Sequence, residues 1–205
     1  MLKIEFFHDV ICSFCFPMSY VMRKLQKQIP NVKITHRSFA LIESAKDFDL
    51  MFTSRESAKD EILTHWACAN EYDELNRFNI EGMKQASFLF PTSMPSLIAC
   101  KAAYFSEDEE AYWDVFDSLQ YAFFVKNLNI ESYEVIKDCV SKLKIDLEAW
   151  SYHFNRNETK EAVLKDFELV QKYDIEIVPT LIINEKHKLS GPKTFEEIID
   201  FCQKL

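Results

Sequence analysis

The sequence predicts an α/β chain in which a large all-helical insertion separates a βαβ half from a ββα half. Three observations carry that expectation. Residues 2–7 and 32–41 read as strands around a segment with helical spacing, residues 44–174 repeat a 3.6-residue period, and residues 175–202 return to strand, turn, strand and helix. The expected division is 1–43 plus 175–205 for the sheet-bearing domain and 44–174 for the insertion, including the helix that returns to the sheet.

Each element has its own signal. Between the first two strands, Met18, Val21, Met22, Leu25 and Ile29 recur at helical spacing, and a helix joining two strands implies a parallel pair. In the insertion, Thr53/Glu56 and Ser106/Glu109 have the spacing of capping boxes, Pro95 suits a first helical turn, and Asp146 suits an N-cap. Apolar stripes follow at Ile62, Trp66 and Ala69, at Val115, Leu119 and Phe123, and at Val135, Cys139 and Leu143. Such stripes predict a layer packed on itself and on the sheet. A further amphipathic helix with Val163, Phe167 and Val170 leads to Tyr173. Ile175 to Asn184 reads as a strand, followed by a tight turn at Asn184-Glu185, a strand over Lys188–Ser190, and a helix opened by the Thr194/Glu197 box.

Composition excludes several classes of function. The chain has 205 residues, 48% of them hydrophobic with 18 Phe, enough for a full core without cross-links. Only 2 Gly occur, too few to build a phosphate-cradling loop, and the net charge of -9 opposes a phosphate backbone, so neither nucleotide nor nucleic acid is an expected partner. No run of 18 apolar residues is present, so no membrane span is expected. The N-terminal segment has acidic residues where a signal peptide needs an apolar run, and the chain reads as cytoplasmic.

Of the 6 Cys, four (Cys68, Cys100, Cys139 and Cys202) are far apart within helical patterns and are expected to be small buried hydrophobes. Cys12 and Cys15 are different. They form Cys12-Ser13-Phe14-Cys15 between a strand and a helix, where the positive end of the helix favours a thiolate and one turn separates the two sulfurs. Cys12 is expected to attack and Cys15 to resolve. Zinc needs a second closely spaced ligand pair, which the sequence lacks, so no metal is expected. His8 and Asp9 precede Cys12 closely enough to influence it, although a structural role is the plainer expectation.

The early CxxC, the long helical insertion, Phe6-Phe7-His8-Asp9-Val10-Ile11-Cys12, the Phe90-Pro91-Thr92-Ser93 loop, Val178-Pro179-Thr180 and the ending Leu189-Ser190-Gly191 together resemble the DsbA-like thioredoxin-fold thiol oxidoreductase family, in particular its FrnE-type branch. The resemblance covers essentially the whole chain. It implies a thioredoxin-like fold and dithiol–disulfide exchange on polypeptide or small-thiol substrates. It also implies a cis peptide before Pro179, with Val178, Pro179 and Thr180 forming a substrate ledge and Ser13 and Phe14 meeting the substrate beside Cys12. No cofactor is implied beyond the redox-active Cys12–Cys15 disulfide; glutathione could act as co-substrate, and the electron donor or acceptor is left open. The branch often has Pro-Trp between its cysteines where this chain has Ser13-Phe14, which bears on redox poise rather than mechanism.

Two other readings compete. Kappa-class glutathione transferases and chromene-carboxylate isomerases resemble this chain in plan, but usually carry Ser where Cys12 stands. A peptide-binding adaptor without turnover would have no need of both thiols. The insertion is expected to roof the active-site face, with residues 90–93 near the CxxC.

Overall fold

The computed structural model describes residues 1–204. Strand β1 (Leu2–His8) pairs in parallel with β2 (Val32–Ser38) and antiparallel with β3 (Thr180–Ile183), which pairs antiparallel with β4 (His187–Ser190). The sheet order is β2-β1-β3-β4. Helix α1 (Cys15–Gln28) makes the β1–β2 crossover, and α10 (Phe195–Cys202) closes the chain. The thioredoxin-like architecture expected from the sequence is therefore present.

Between the two halves run α2 (Ala45–Met51), α3 (Ala58–Asn70), α4 (Ile80–Gln85), α5 (Met94–Ser106), α6 (Glu109–Phe124), α7 (Tyr133–Ser141), α8 (Leu147–Phe154) and α9 (Asn157–Lys172). Strand alternation sends Ile4, Phe6, Leu181 and Ile183 into the main core with buried residues of α1, α6 and α10, while Phe7 and Ile182 face the opposite way. Leu169, Val170 and Tyr173 cover that second face. The expectation of one helical roof thus needs correction at its end: Val163 and Phe167 keep α9 on the main core, while Leu169 and Val170 in its last turn reach the Phe7 face on the other side of the sheet.

Local signals were of unequal value. Asp146 caps α8 through the N–H groups of Glu148 and Ala149, Pro95 stands in the first turn of α5, and the Thr194/Glu197 box opens α10. The boxes expected at Thr53/Glu56 and Ser106/Glu109 do not form. Thr53 lies in the connection ahead of α3, where Ser54 and Ser57 hydrogen-bond each other instead, and Ser106 is the last residue of α5, its hydroxyl donating back to the Ala103 carbonyl at 3.0 Å. Asp108 caps α6 in its place, accepting from Glu110 and Ala111. The strand expected from Ile175 begins only at Thr180, since residues 175–179 form a loop. Asn184 and Glu185, both with positive φ, make the tight turn as expected.

Candidate active site

The site grows from the carboxyl end of β1. His8 finishes the strand, Asp9 follows it, residues 10–14 turn, and α1 starts at Cys15 with Phe14 as its N-cap. The Cys12 N–H donates to the Asp9 carbonyl at 3.2 Å and the Cys15 N–H to the Cys12 carbonyl at 3.1 Å, so the turn is closed by its own backbone. The same Cys15 N–H lies 3.2 Å from the Cys12 sulfur. A first-turn amide thus points at that sulfur. Cys15 is fully buried. Its burial, reinforced by the neighbouring Cys12, pushes its thiol well above the ordinary range. Both cysteines are free thiols.

Cys12 opens onto a cavity of about 370 Å³ that Ser13, Phe14 and Val178 also line. Leu41 and Ile42 line it from the chain after β2, and from the insertion come Phe48, Met51, Phe52, Ile62, His65, Trp66, Phe90 and Pro91. The loop of residues 90–93 therefore stands at the CxxC, as expected. The Val178–Pro179 peptide is cis, and the Val178 carbonyl accepts from the Cys12 thiol at 3.5 Å. Pro179 and Thr180 stand beside the wall rather than in it. The Pro179 carbonyl takes the Gly191 N–H at 2.8 Å, where Gly191 turns with φ 78°. The Thr180 hydroxyl is engaged by the Ile177 carbonyl at 2.8 Å and Ser190 Oγ at 3.0 Å.

Asp9 fastens the site to its surroundings. Its carboxylate accepts from the Leu41 N–H at 2.7 Å, the Ser93 hydroxyl at 2.6 Å and the Ile11 N–H at 3.2 Å. One buried group thus joins the CxxC turn to the chain after β2 and to the loop before α5. Burial raises its pKa to about 6, against the hydrogen bonds from Ser93 and the backbone that lower it. His8 belongs to the core. Its Nε2 lies 2.9 Å from His36 Nδ1 among Phe6, Tyr112, Trp113 and Phe116, and burial lowers the pKa of both imidazoles well below the ordinary value. His8 Nδ1 and His36 Nε2 have no partner among the described residues.

The other four cysteines split. Cys100 and Cys139 are buried as expected, Cys202 is intermediate, and Cys68 is exposed because it falls on the outer side of α3, away from Trp66 and Ala69. No cluster of three or more His, Cys, Asp or Glu suited to a metal occurs among the described residues. Trp66, Phe48 and Ile177 were not identifiable as site residues from the sequence; only the Ile62/Trp66 stripe hinted at them.

The fold and the cysteine pair at a strand-to-helix turn define a thioredoxin-fold protein. The chain belongs to the DSBA-like thioredoxin domain family, whose model matches residues 3–201. Solved structures agree in fold. A candidate protein disulfide isomerase from Nitrosomonas europaea superposes with a TM-score of 0.80 at 17% identity, covering 99% of this chain and 98% of the other. The cytosolic disulfide reductase DsbM from Pseudomonas aeruginosa, solved with GSH, gives 0.75 at 13% identity, covering 99% and 100%. At these identities the likeness is one of fold. No curated protein matches the sequence.

Proposed function

We propose that the protein is a thiol–disulfide oxidoreductase whose electrons reside in the Cys12–Cys15 pair, with no further cofactor. The observation that carries this reading is the asymmetry of the two sulfurs: Cys12 sits at a cavity under a first-turn amide, while Cys15 is sealed behind it with its thiol pushed up. Only the first is placed to meet an incoming disulfide. The Cys12 thiolate attacks a substrate disulfide R–S–S–R′, forming Cys12–S–S–R and expelling R′–S⁻, which takes up the proton Cys12 gave up. Cys15 then loses its proton, attacks the Cys12 sulfur and expels R–S⁻. Two electrons and two protons pass to the substrate, and an external thiol or dithiol restores the pair. With a more oxidising partner the same steps run in reverse.

Ser13 and Phe14 flank the reacting sulfur, and Val178 bounds it from the sheet side; these are the proposed substrate contacts, with Pro179 and Thr180 holding Val178 in place. The helical insertion, residues 44–174, is the proposed specificity unit. A cytoplasmic setting fits a reductase or isomerase role; DsbM is a cytosolic disulfide reductase. The glutathione transferase or isomerase alternative needs no resolving thiol, and Cys15 weighs against it.

Turnover of a model disulfide tests the assignment. Cys12→Ser is expected to abolish exchange, and Cys15→Ser to accumulate mixed disulfides at Cys12 because the resolving thiol is gone. Equal behaviour of the two variants contradicts the roles given.

A further inference from the structure

We infer that the preferred substrate is a polypeptide disulfide whose cysteine is flanked by apolar, non-acidic side chains, and that glutathione disulfide is a poor one. The inference rests on the oxidoreductase reading above and adds what selects among disulfides.

The cavity supplies the argument. Phe14, Met51, Ile62, Trp66, Phe90 and Ile177 give it apolar walls, its one carboxylate is Glu176, and its one imidazole is His65. No Lys or Arg lines it among the described residues. A cation near its wall, Arg55, is turned away: its Nε donates to the Phe90 carbonyl at 2.8 Å, its Nη2 meets Glu131 at 2.5 Å, and its guanidinium lies 5.2 Å from the Phe48 ring. That charge is already matched by Glu131. Each half of glutathione disulfide carries two carboxylates and one ammonium. Carboxylates are held by Arg, Lys or convergent N–H donors, and here the four of glutathione disulfide would meet a single imidazole, His65, among apolar walls that also carry Glu176, on a chain of net charge -9.

Apolar surface also continues beyond the cavity. Ile177 and Met51 line it yet are 54% and 53% exposed, and Leu50 beside Met51 is 84% exposed. A cavity of about 370 Å³ is at the small end for a bound molecule and accommodates one or two side chains. The exposed rim is then covered only by a partner that extends past the mouth, as a stretch of polypeptide does. The exchange is the one already written: the peptide disulfide gains two electrons and two protons and leaves as thiols.

The test compares kcat/KM of wild-type protein, regenerated by a dithiol, on five disulfides: hydroxyethyl disulfide, diethyl disulfide, glutathione disulfide, and two peptide disulfides with Leu or Asp beside the cysteine. The Leu-flanked peptide is expected to exceed the Asp-flanked peptide and glutathione disulfide by roughly tenfold or more, and Glu176→Lys to narrow both gaps. Equal rates on the Leu peptide and on glutathione disulfide, or on the two peptides, overturn the inference while leaving the oxidoreductase reading intact. Diethyl disulfide matching the Leu peptide overturns the polypeptide occupant. If wild type handles hydroxyethyl disulfide no better than Cys12→Ser, the oxidoreductase reading falls and the inference with it.

Discussion

Helix α1 begins beside the cavity at Cys12 and, two turns on, carries an ionic seam against α6; the two regions use charge in opposite ways. In the seam, Arg23 meets Asp117 at 2.9 Å, Asp114 at 2.8 Å and also Glu110, while its guanidinium lies 4.2 Å from the Trp113 ring. Ser19 donates to Asp117 at 2.5 Å and accepts from Trp113 Nε1 at 2.8 Å. Every charge there has a fixed partner. The cavity, by contrast, has one carboxylate, Glu176, and one imidazole, His65, among apolar walls. Charge fixes the helices where only geometry matters and is sparse where a substrate enters, so substrate choice falls mainly to shape and apolar contact.

The comparison breaks most sharply at the sulfurs. Cys12→Ser should lower disulfide turnover by several orders of magnitude with little loss of stability, whereas no seam variant should approach that. Removing a wall comes next. Trp66→Ala empties a fully buried site between Phe78, Phe90, Phe123 and Phe124 and should cost about 3–5 kcal/mol, measured by urea denaturation. In the seam, Asp117→Ala removes one of the three carboxylates around Arg23 and the acceptor of the Ser19 hydroxyl, and should cost about 1–3 kcal/mol while leaving kcat/KM within about twofold. A comparable loss of kcat/KM in that variant would show that the seam also shapes the site.

Stability against pH separates the buried groups. His8 and His36 have lowered folded-state pKa values, so the unfolded chain takes up protons first and stability declines as pH falls below about 6.5. Where the unfolded imidazole is charged and the folded one is not, each contributes about 1.4 kcal/mol per pH unit. Asp9 has the opposite sign: with its pKa raised to about 6, it disfavours folding as pH rises from its unfolded value of 3.8 to about 6 and adds no further slope above. The raised carboxyls of Glu109 and Asp117 share the sign of Asp9, so the imidazole limb is read by difference: His36→Phe should flatten the fall of the urea midpoint below about pH 6.5 relative to wild type. An unchanged limb would mean that the pair is not neutral in the folded state. The smallest effect belongs to Phe14→His, which sets a cation beside Cys12 and should make the couple more oxidising by up to about 30 mV.

What could be read from the sequence follows the range of the interaction. Cys12 and Cys15, Asp146 and Thr194/Glu197 declare themselves within four residues, and the structure places them as their spacing implies. Ser106 and Asp108 are both competent caps two residues apart; continuation of α5 through Ser106 chooses between them. Ile175 to Pro179 has the composition of a strand, yet the segment bends outward and leaves Ile177 in solvent at the cavity mouth. The contacts of Asp9 with Leu41 and Ser93 span 32 and 84 residues, and the walls from Phe48, Trp66 and Phe90 come from separate helices and loops. Such convergence has no local signature.

Oxidation mapping tests the central claim most directly. The reduced protein, with 6 Cys, should lose two thiols on mild oxidation with a mass decrease of about 2 Da, and digestion should return one linked pair, Cys12 with Cys15. Retention of all thiols, or a disulfide that joins any other pair while Cys12 stays free, would contradict the account.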